Sequence, residues 1–202
     1  MSTAVQKNRF GFLALATMVT LLVAATFSSF AQAACSYPDA TQVFAPWKDK
    51  GYYQLAPEGG LEAGGSGWSL EGGAQLVADD GERLHEGEQE ETAVLLPFGG
   101  SATSPPVCVD DTTPNFRVMI RNLGAKDAKL RVTVTYEGTG KPVKAKNNDI
   151  HSDTEDNWMP SPSLKLETDK EEERIARITF TGKDPKTNYL VDDLYVDPFA
   201  RH

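Results

Sequence analysis

The feature that most constrains this chain is an alternation of apolar and polar residues with a period of two. Residues 116–121 read Phe-Arg-Val-Met-Ile-Arg, and residues 130–137 read Leu-Arg-Val-Thr-Val-Thr-Tyr-Glu. Such alternation is typical of strands with one dry face. Seventeen glycines and 12 prolines interrupt the chain, and no apolar pattern of period 3.6 persists for three turns after residue 33. The pattern therefore predicts strands and few helices.

Further segments have the composition of short strands, and clusters of Gly or Pro separate them. They are residues 41–45, 52–56, 67–70, 74–78, 92–98, 163–167, 174–181 and 188–196. Residues 122–127 have the composition of a hairpin loop between the two alternating strands. Many short strands with turn signals predict an all-β fold, a jelly-roll β-sandwich or a barrel, and we expect the jelly-roll sandwich.

Three polar stretches are too charged to contribute to a core. Residues 79–91 and 147–157 are rich in Asp, Glu and Asn, and we expect both to be solvated loops. The charged run at 169–173 predicts either a helical turn or a solvated corner.

The first 33 residues have the pattern of a secretory signal peptide. Lys7 and Arg9 precede an apolar stretch at residues 10–25, and Ala31 and Ala33 form an A-x-A site, so we expect cleavage after Ala33. From Phe10 to Phe30 the apolar stretch approaches bilayer-spanning length, which leaves an uncleaved anchor as an alternative. A lipoprotein is less favoured, because Gln32 stands where a lipobox has a bulky aliphatic residue. The prediction is a secreted protein with one domain, residues 34–202.

The charge balance excludes some partners. The chain has 29 acidic and 20 basic residues and a net charge of −9, and cleavage would remove two cations and no acid. Nucleic acid is disfavoured, since phosphate binding needs concentrated Lys and Arg. No other segment has the composition of a membrane span. We also expect the protein to be a monomer.

Cys35 and Cys108 are the two cysteines of the chain. In an oxidising compartment an even pair indicates a disulfide. Closing so long a loop stabilises a fold by about 3 to 5 kcal/mol. A metal site is disfavoured, because neither cysteine lies in a C-x-x-C motif or near a histidine in sequence.

The two ends of the predicted domain resemble a known superfamily of jelly rolls. Residues 59–62 read Gly-Gly-Leu-Glu, residues 67–70 read Gly-Trp-Ser-Leu, and residues 191–196 read Val-Asp-Asp-Leu-Tyr-Val. Together they resemble the ends of carbohydrate-binding modules of the galactose-binding-like superfamily. The resemblance implies a non-catalytic module that binds carbohydrate or a cell-envelope polymer.

The same resemblance implies a structural calcium ion as the cofactor. In that superfamily a Glu near the start and an Asp in the terminal strand often hold calcium, and the matching positions are Glu62 with Asp192 or Asp193. Calcium needs six to eight oxygen ligands, and these side chains supply only part of such a set. The alternative is that they are surface acids.

Over residues 34–202 the chain also resembles small exported bacterial proteins to which no activity is attached. The matching segments are residues 35–44, 101–109 and 192–198. This second resemblance supports the pairing of Cys35 with Cys108, since both cysteines lie inside matching segments.

Aromatic rings are the side chains on which a sugar would stack, because the C–H face of a pyranose is apolar. Trp47, Tyr53 and Trp158 are our candidate ligand-binding residues, and Trp158 is expected to be the most exposed. Trp68, flanked by Gly67 and Leu70, is expected in the core.

Signatures of catalysis are scarce in the sequence. It has no H-E-x-x-H motif, no phosphate-binding glycine loop and no G-x-S-x-G elbow. Glycoside hydrolysis needs only two well-placed carboxylates, so it stays open as an alternative to a binding module. Protein interaction and a structural role in the envelope also stay open, as does a secreted stress or developmental factor whose partner is another protein.

Overall fold

The computed structural model describes residues 37–61, 63–79, 92–110, 112–137, 142–152, 156–167 and 174–197, with residues 142–148 described by their backbone alone. Over these residues the protein forms two antiparallel β-sheets, so the expected all-β architecture is confirmed. The described residues include no helix that is long and apolar enough to cross a membrane.

Sheet I consists of the strands β2 (Ser69–Glu71), β5 (Ser101–Thr103), β6 (Val107–Val109), β8 (Leu130–Tyr136), β9 (Pro142–Ile150) and β12 (Arg174–Gly182). The strand order is β2-β5-β12-β8-β9. β6 pairs with the first half of β12, in line with β5, which pairs with the second half.

Sheet II consists of the strands β1 (Gln54–Leu55), β3 (Gln75–Ala78), β4 (Thr92–Pro97), β7 (Asn115–Asn122), β10 (Trp158–Pro160), β11 (Leu164–Lys165) and β13 (Asn188–Asp197). The order is β11-β7-β13-β4-β3, with β10 beside β7 and β1 beside β13. β9 joins the sheets, because it pairs with β8 in sheet I and, through Lys146 and Lys165, with β11.

The main core lies between the two sheets and is formed by alternate residues of the long strands. Its central side chains are Phe116, Val118 and Ile120 of β7, Leu130, Val132 and Val134 of β8, and Ala176, Ile178 and Phe180 of β12. All are buried, which confirms the dry faces that the alternating pattern predicts. Full burial of a large apolar side chain stabilises a fold by about 1.5 to 3 kcal/mol.

A second apolar cluster lies on the outer face of sheet II. It consists of Phe44, Tyr53, Met119 and Tyr195, which we call the outer cluster. Phe44 makes edge-to-face contacts with Tyr53 at 4.8 Å and with Tyr195 at 5.5 Å between ring centroids. The segment 41–53 therefore covers part of this face, and its ends meet in a bridge between Thr41 and Tyr53.

A β-bulge interrupts β13 between Asp192 and Tyr195. Asp193 adopts a φ of 52° there, which a non-glycine residue seldom adopts. The Leu194 N–H donates to the Gly59 carbonyl at 3.0 Å. A β-carbon at Gly59 would lie 2.5 Å from the Leu194 carbonyl oxygen, so this contact between segment and bulge requires glycine.

The loop at 122–127 is not the hairpin that its composition predicts. β7 belongs to sheet II and β8 to sheet I, so the loop crosses between the sheets. The Asn122 side chain donates to the Ala125 carbonyl at 3.0 Å and accepts from the Gly124 N–H at 2.9 Å. The prediction is wrong because a polar loop whose side chains hydrogen-bond to its own backbone can close a hairpin or cross between two sheets.

Two other local predictions are also wrong. Residues 41–45 form no strand beyond the Thr41 bridge and lead into a 3-10 helix at Ala45–Trp47, where Pro46 favours the first turn. The expected loop at 147–157 is shorter, because β9 continues to Ile150, which is buried and opposite Leu130. The expected polar stretches at 80–91 and 169–173 lie outside the described residues.

Candidate functional site

A cavity of about 560 Å³ opens on the outer face of sheet II, beside the outer cluster. We call it the outer cavity, and its lining consists of residues 47–50, Tyr53, Asn115, Arg117, Ser163 and Asp197. Its volume lies within the range of small-ligand pockets, about 300 to 1,000 Å³. It combines an exposed aromatic ring, three cations and several polar groups at one end of β7.

The 3-10 helix places Trp47 at the rim of the outer cavity. Phe44, directly before the helix, is fully buried in the outer cluster. Lys48 ends the helix with a φ of 66°, and its N–H donates to the Ala45 carbonyl at 2.9 Å. Because Phe44 anchors the start of the helix and Lys48 ends it, Trp47 is held at the surface and is 39% exposed.

The polar floor of the cavity is a network centred on Arg117. Its Nη2 lies 3.0 Å from Oδ2 of Asp49, its Nη1 donates to the Ser161 carbonyl at 2.8 Å, and its Nε donates to the Tyr53 hydroxyl at 3.2 Å. The guanidinium also lies over the Phe44 ring, 5.7 Å from its centroid. These contacts hold the Arg117 guanidinium in one orientation. A guanidinium with a fixed orientation can make a selective polar contact with a ligand.

Asp49 and Tyr53 complete the network. The Tyr53 hydroxyl donates to Oδ2 of Asp49 at 2.8 Å, and the Gly51 N–H donates to Oδ1 at 2.8 Å. Burial, followed by the hydrogen bond to Asp49, raises the pKa of Tyr53 to about 12. Tyr53 is therefore a neutral hydroxyl at physiological pH, and both oxygens of Asp49 are occupied within the protein.

Of the three aromatic residues predicted to bind ligand, the structure brings Trp47 and Tyr53 together. Both line the outer cavity, although Tyr53 is buried and contributes its hydroxyl edge. Trp158 lies opposite Arg121, four residues further along β7 than Arg117, which is about 13 Å at 3.3 Å per residue. It is outside the cavity lining.

Trp158 is half-buried, so the expectation that it is the most exposed aromatic residue is wrong. Its indole N–H donates to Oδ2 of Asp79 at 2.8 Å, and Arg121 contacts Oδ1 of Asp79 at 2.8 Å. The Asp79 side chain is only 9% exposed, which contradicts its expected place in a solvated loop. A buried carboxylate with two partners fixes this tryptophan against the sheet. Trp68 packs on the main core and stacks on Phe180, as expected.

The residues predicted to bind calcium lie at the bulge of β13, where Asp192 pairs with Met119 of β7. Neither Asp192 nor Asp193 is among the residues that line the outer cavity. Asp192 is 4% exposed and Asp193 is fully buried, so neither is the surface acid of the alternative interpretation. Glu62 lies outside the described residues. Among the residues that are described, no group of three or more His, Cys, Asp or Glu side chains is gathered at one point.

Cys108 lies in β6 and is buried. No cysteine is free within the described residues. Its predicted partner Cys35 and the signal peptide at residues 1–33 lie outside them, so the pairing and the export of the chain stay predictions.

Sequence reasoning missed Asp49, Asn115 and Arg117. Arg117 occupies a polar position of an alternating strand, where an arginine usually faces solvent. Asp49 lies in a short charged segment that the sequence does not distinguish from a surface turn. The hydrogen bond between Tyr53 and Arg117 spans 64 residues, and no local pattern reports such a contact.

No family model matches the chain, and no curated protein matches it. Solved carbohydrate-binding domains are similar in part. The module TmCBM61 in complex with β-1,4-galactotriose is 16% identical, covers 70% of this chain and 96% of its own, and has a TM-score of 0.43. A xylan-binding domain of family 22 is 14% identical, covers 76% and 99%, and has a TM-score of 0.47.

Another xylan-binding domain, from Xyn10C of Paenibacillus barcinonensis, is 14% identical to this chain. It covers 67% of this chain and 88% of its own, with a TM-score of 0.44.

Proposed function

We propose that this protein is a secreted, non-catalytic carbohydrate-binding module with a jelly-roll β-sandwich, and that the outer cavity binds the glycan. The single observation that carries the proposal is the exposed Trp47 ring at the rim of a cavity with a fixed polar floor. Sugar recognition needs both elements, an apolar platform for the C–H face of the ring and oriented groups for its hydroxyls.

The polar floor supports this function because its groups are oriented before any ligand arrives. Arg117 is held by Asp49, Tyr53 and Ser161, and Asn115 lies two residues before it on β7, on the same outer face. A site whose side chains are already fixed loses little conformational entropy on binding. Glycans have many hydroxyls and few apolar groups, so such preorganisation matters for their affinity.

The variant Trp47→Ala tests the role of the platform. We expect its affinity for a bound polysaccharide to fall at least about tenfold, since exposed aromatic anchors often dominate binding. Affinity electrophoresis against galactan and xylan, followed by calorimetry, measures the change. Phe98→Ala is the matched control, because Phe98 is 55% exposed and is not among the residues that line the cavity.

Failure of every polysaccharide to bind would contradict the proposal and favour a protein-interaction or envelope-structural role. Glycan hydrolysis is the second candidate function, favoured by the presence of Asp49 and Asp197 in one cavity lining. Because Asp49 is occupied by Arg117, Tyr53 and Gly51, binding is the stronger candidate. Release of reducing ends from a bound polysaccharide, lost in Asp197→Asn, would reverse this order.

A structural calcium ion at the bulge of β13 remains part of the proposal. Buried carboxylates such as Asp192 and Asp193 suit a hard cation, and the segment 59–61, just before Glu62, is hydrogen-bonded to the bulge through Gly59 and Leu194. The melting temperature should rise with millimolar calcium, and Glu62→Ala should abolish the rise. A rise that survives in Glu62→Ala would exclude Glu62 as a ligand.

Secretion and the disulfide belong to the same proposal. Cleavage after Ala33 would give a mature chain that starts at Ala34, and oxidation of Cys35 with Cys108 would remove two hydrogens from its mass. N-terminal sequencing and intact mass spectrometry of the exported protein measure both. A retained leader would support the uncleaved-anchor alternative instead.

A further inference from the structure

The charges of the outer cavity differ from those of the chain as a whole. The chain has 29 acidic and 20 basic residues, yet three cations, Lys48, Lys50 and Arg117, line the cavity against two acids. Basic residues therefore outnumber acidic residues in the cavity lining, whereas acidic residues outnumber basic residues in the chain.

The two acids do not neutralise the accessible part of the cavity. Asp49 forms an ion pair with Arg117 at 3.0 Å, and Asp197 is only 2% exposed. Lys48 and Lys50 are both exposed, and within the described residues neither forms an ion pair with a neighbouring acid. With Asp49 paired to Arg117, the two lysines leave the cavity lining with one positive charge more than Asp197 balances.

Backbone contacts hold the main chain of Lys48 and Lys50 in place. Lys48 ends the 3-10 helix in a left-handed conformation, and the Lys50 carbonyl accepts from the Gln42 side chain at 2.8 Å. The two lysines lie on either side of Asp49, and Asp49 is tied to the floor through Arg117. The ammonium groups thus extend from a held segment beside the platform.

We propose that the glycan bound in the outer cavity is anionic, with a carboxylate or sulfate group contacted by Lys48 and Lys50 while a sugar ring stacks on Trp47. This inference rests on the proposed function and adds the class of glycan. Lysine ammonium groups bind either anion as point charges, and charge-assisted hydrogen bonds are stronger than neutral ones. At physiological salt, screening over about 8 Å limits repulsion from the distant acids.

The test compares glycans that differ in charge, using the mature protein and calorimetry at low and physiological salt. The probes are neutral galactan, polygalacturonate as the carboxylate source and dextran sulfate as the sulfate source. We expect one anionic polymer to bind at least about tenfold more tightly than galactan, with affinity falling as salt rises. The anionic polymer that binds more tightly identifies the anionic group as a carboxylate or a sulfate.

The double variant Lys48→Gln/Lys50→Gln should weaken that binding about tenfold. The control is Lys126→Gln/Lys129→Gln, which removes the same charge from the loop beyond the other end of β7 and should change nothing. Trp47→Ala should weaken binding of anionic and neutral glycans alike, which separates the platform from the charge.

Three outcomes would overturn the inference, and they are distinguishable. Equal binding of galactan and the acidic polymers, unchanged by Lys48→Gln/Lys50→Gln, would refute the anionic class while leaving the proposed function intact. No binding of any polysaccharide would refute both. Equal binding of a single-stranded oligonucleotide, insensitive to Trp47→Ala, would show attraction to any polyanion.

Discussion

The outer faces of the two sheets differ, although the same alternation of residues builds both. On sheet I most outward positions of β8 and β12 are threonine or arginine side chains. Thr103 and Thr179 share a hydrogen bond of 2.9 Å between their hydroxyls. On sheet II the outward positions include Met119 and Tyr195, which the outer cluster buries. A face that carries apolar residues needs a cover, and here the cover forms one side of the cavity.

The ion pairs on the two outer faces differ in what they join. Ion pairs on sheet I, such as Arg131 with Asp149 at 2.9 Å, join adjacent strands of the same sheet. On sheet II, Arg117 instead contacts Asp49, which lies in the covering segment. The same residue type is therefore a surface charge on one face and part of a site on the other.

The largest expected effect on stability comes from truncating Phe44, which anchors the segment 41–53 to sheet II. Phe44→Ala should lower the free energy of unfolding by about 3 to 5 kcal/mol, the usual cost of truncating a buried phenylalanine. Thr179→Ala on sheet I should lower it by less than about 1 kcal/mol. Urea denaturation of both variants measures the difference, and equal losses would contradict the distinction between the two faces.

An intermediate effect is expected from the two arginines. Arg117→Met should lower the free energy of unfolding by about 1 to 3 kcal/mol, because Asp49 and Tyr53 lose a partner in a half-buried site. Arg131→Met on sheet I should lower the free energy of unfolding by less than Arg117→Met does, because solvent screens the ion pair between Arg131 and Asp149. Only Arg117→Met should also weaken glycan binding, so calorimetry on the same two proteins provides a second readout.

The smallest effect is a difference in pH dependence between the faces. On sheet I, hydrogen bonds from Arg131 and then Lys183 lower the pKa of Asp149 to about 2. Its contribution is present above the ordinary value near 3.8 and is lost as pH falls from there towards 2. Asp149→Asn should therefore flatten the acid limb of stability measured by urea denaturation.

On sheet II the sign is reversed. Burial raises the pKa of Tyr53 to about 12, so its contribution is complete below the ordinary value near 10 and is lost as pH rises from 10 to 12. Tyr53→Phe should flatten the alkaline limb and leave the acid limb unchanged. An alkaline limb identical in both proteins would mean that Tyr53 ionises as readily folded as unfolded.

Much of the architecture was predictable from local patterns. The alternation in β7 and β8 identified Val118 and Val132 as core residues, because adjacent side chains of any strand point to opposite faces. Clusters of Gly and Pro indicated where strands end. What failed was connectivity, since the loop at 122–127 has one composition whether it closes a hairpin or crosses between sheets.

The site was predictable only in part, and the reason is physical. Trp47 and Tyr53 could be nominated because aromatic rings suit sugars, but the exposure of a ring depends on what packs over it. Trp158 shows this dependence, since Asp79 accepts its indole N–H from across 79 residues of sequence. Exposure is a property of the assembled sheet and cannot be read from neighbouring residues.

Local sequence patterns suffice to identify the strand-forming segments and the residues of β7 and β8 that face inward, because strand periodicity is a local property of the backbone. The network of Asp49, Tyr53 and Arg117 exists only in the folded chain. Their hydrogen bonds depend on strand pairing and on the packing of Phe44 over sheet II, and those interactions join residues that are far apart in the chain.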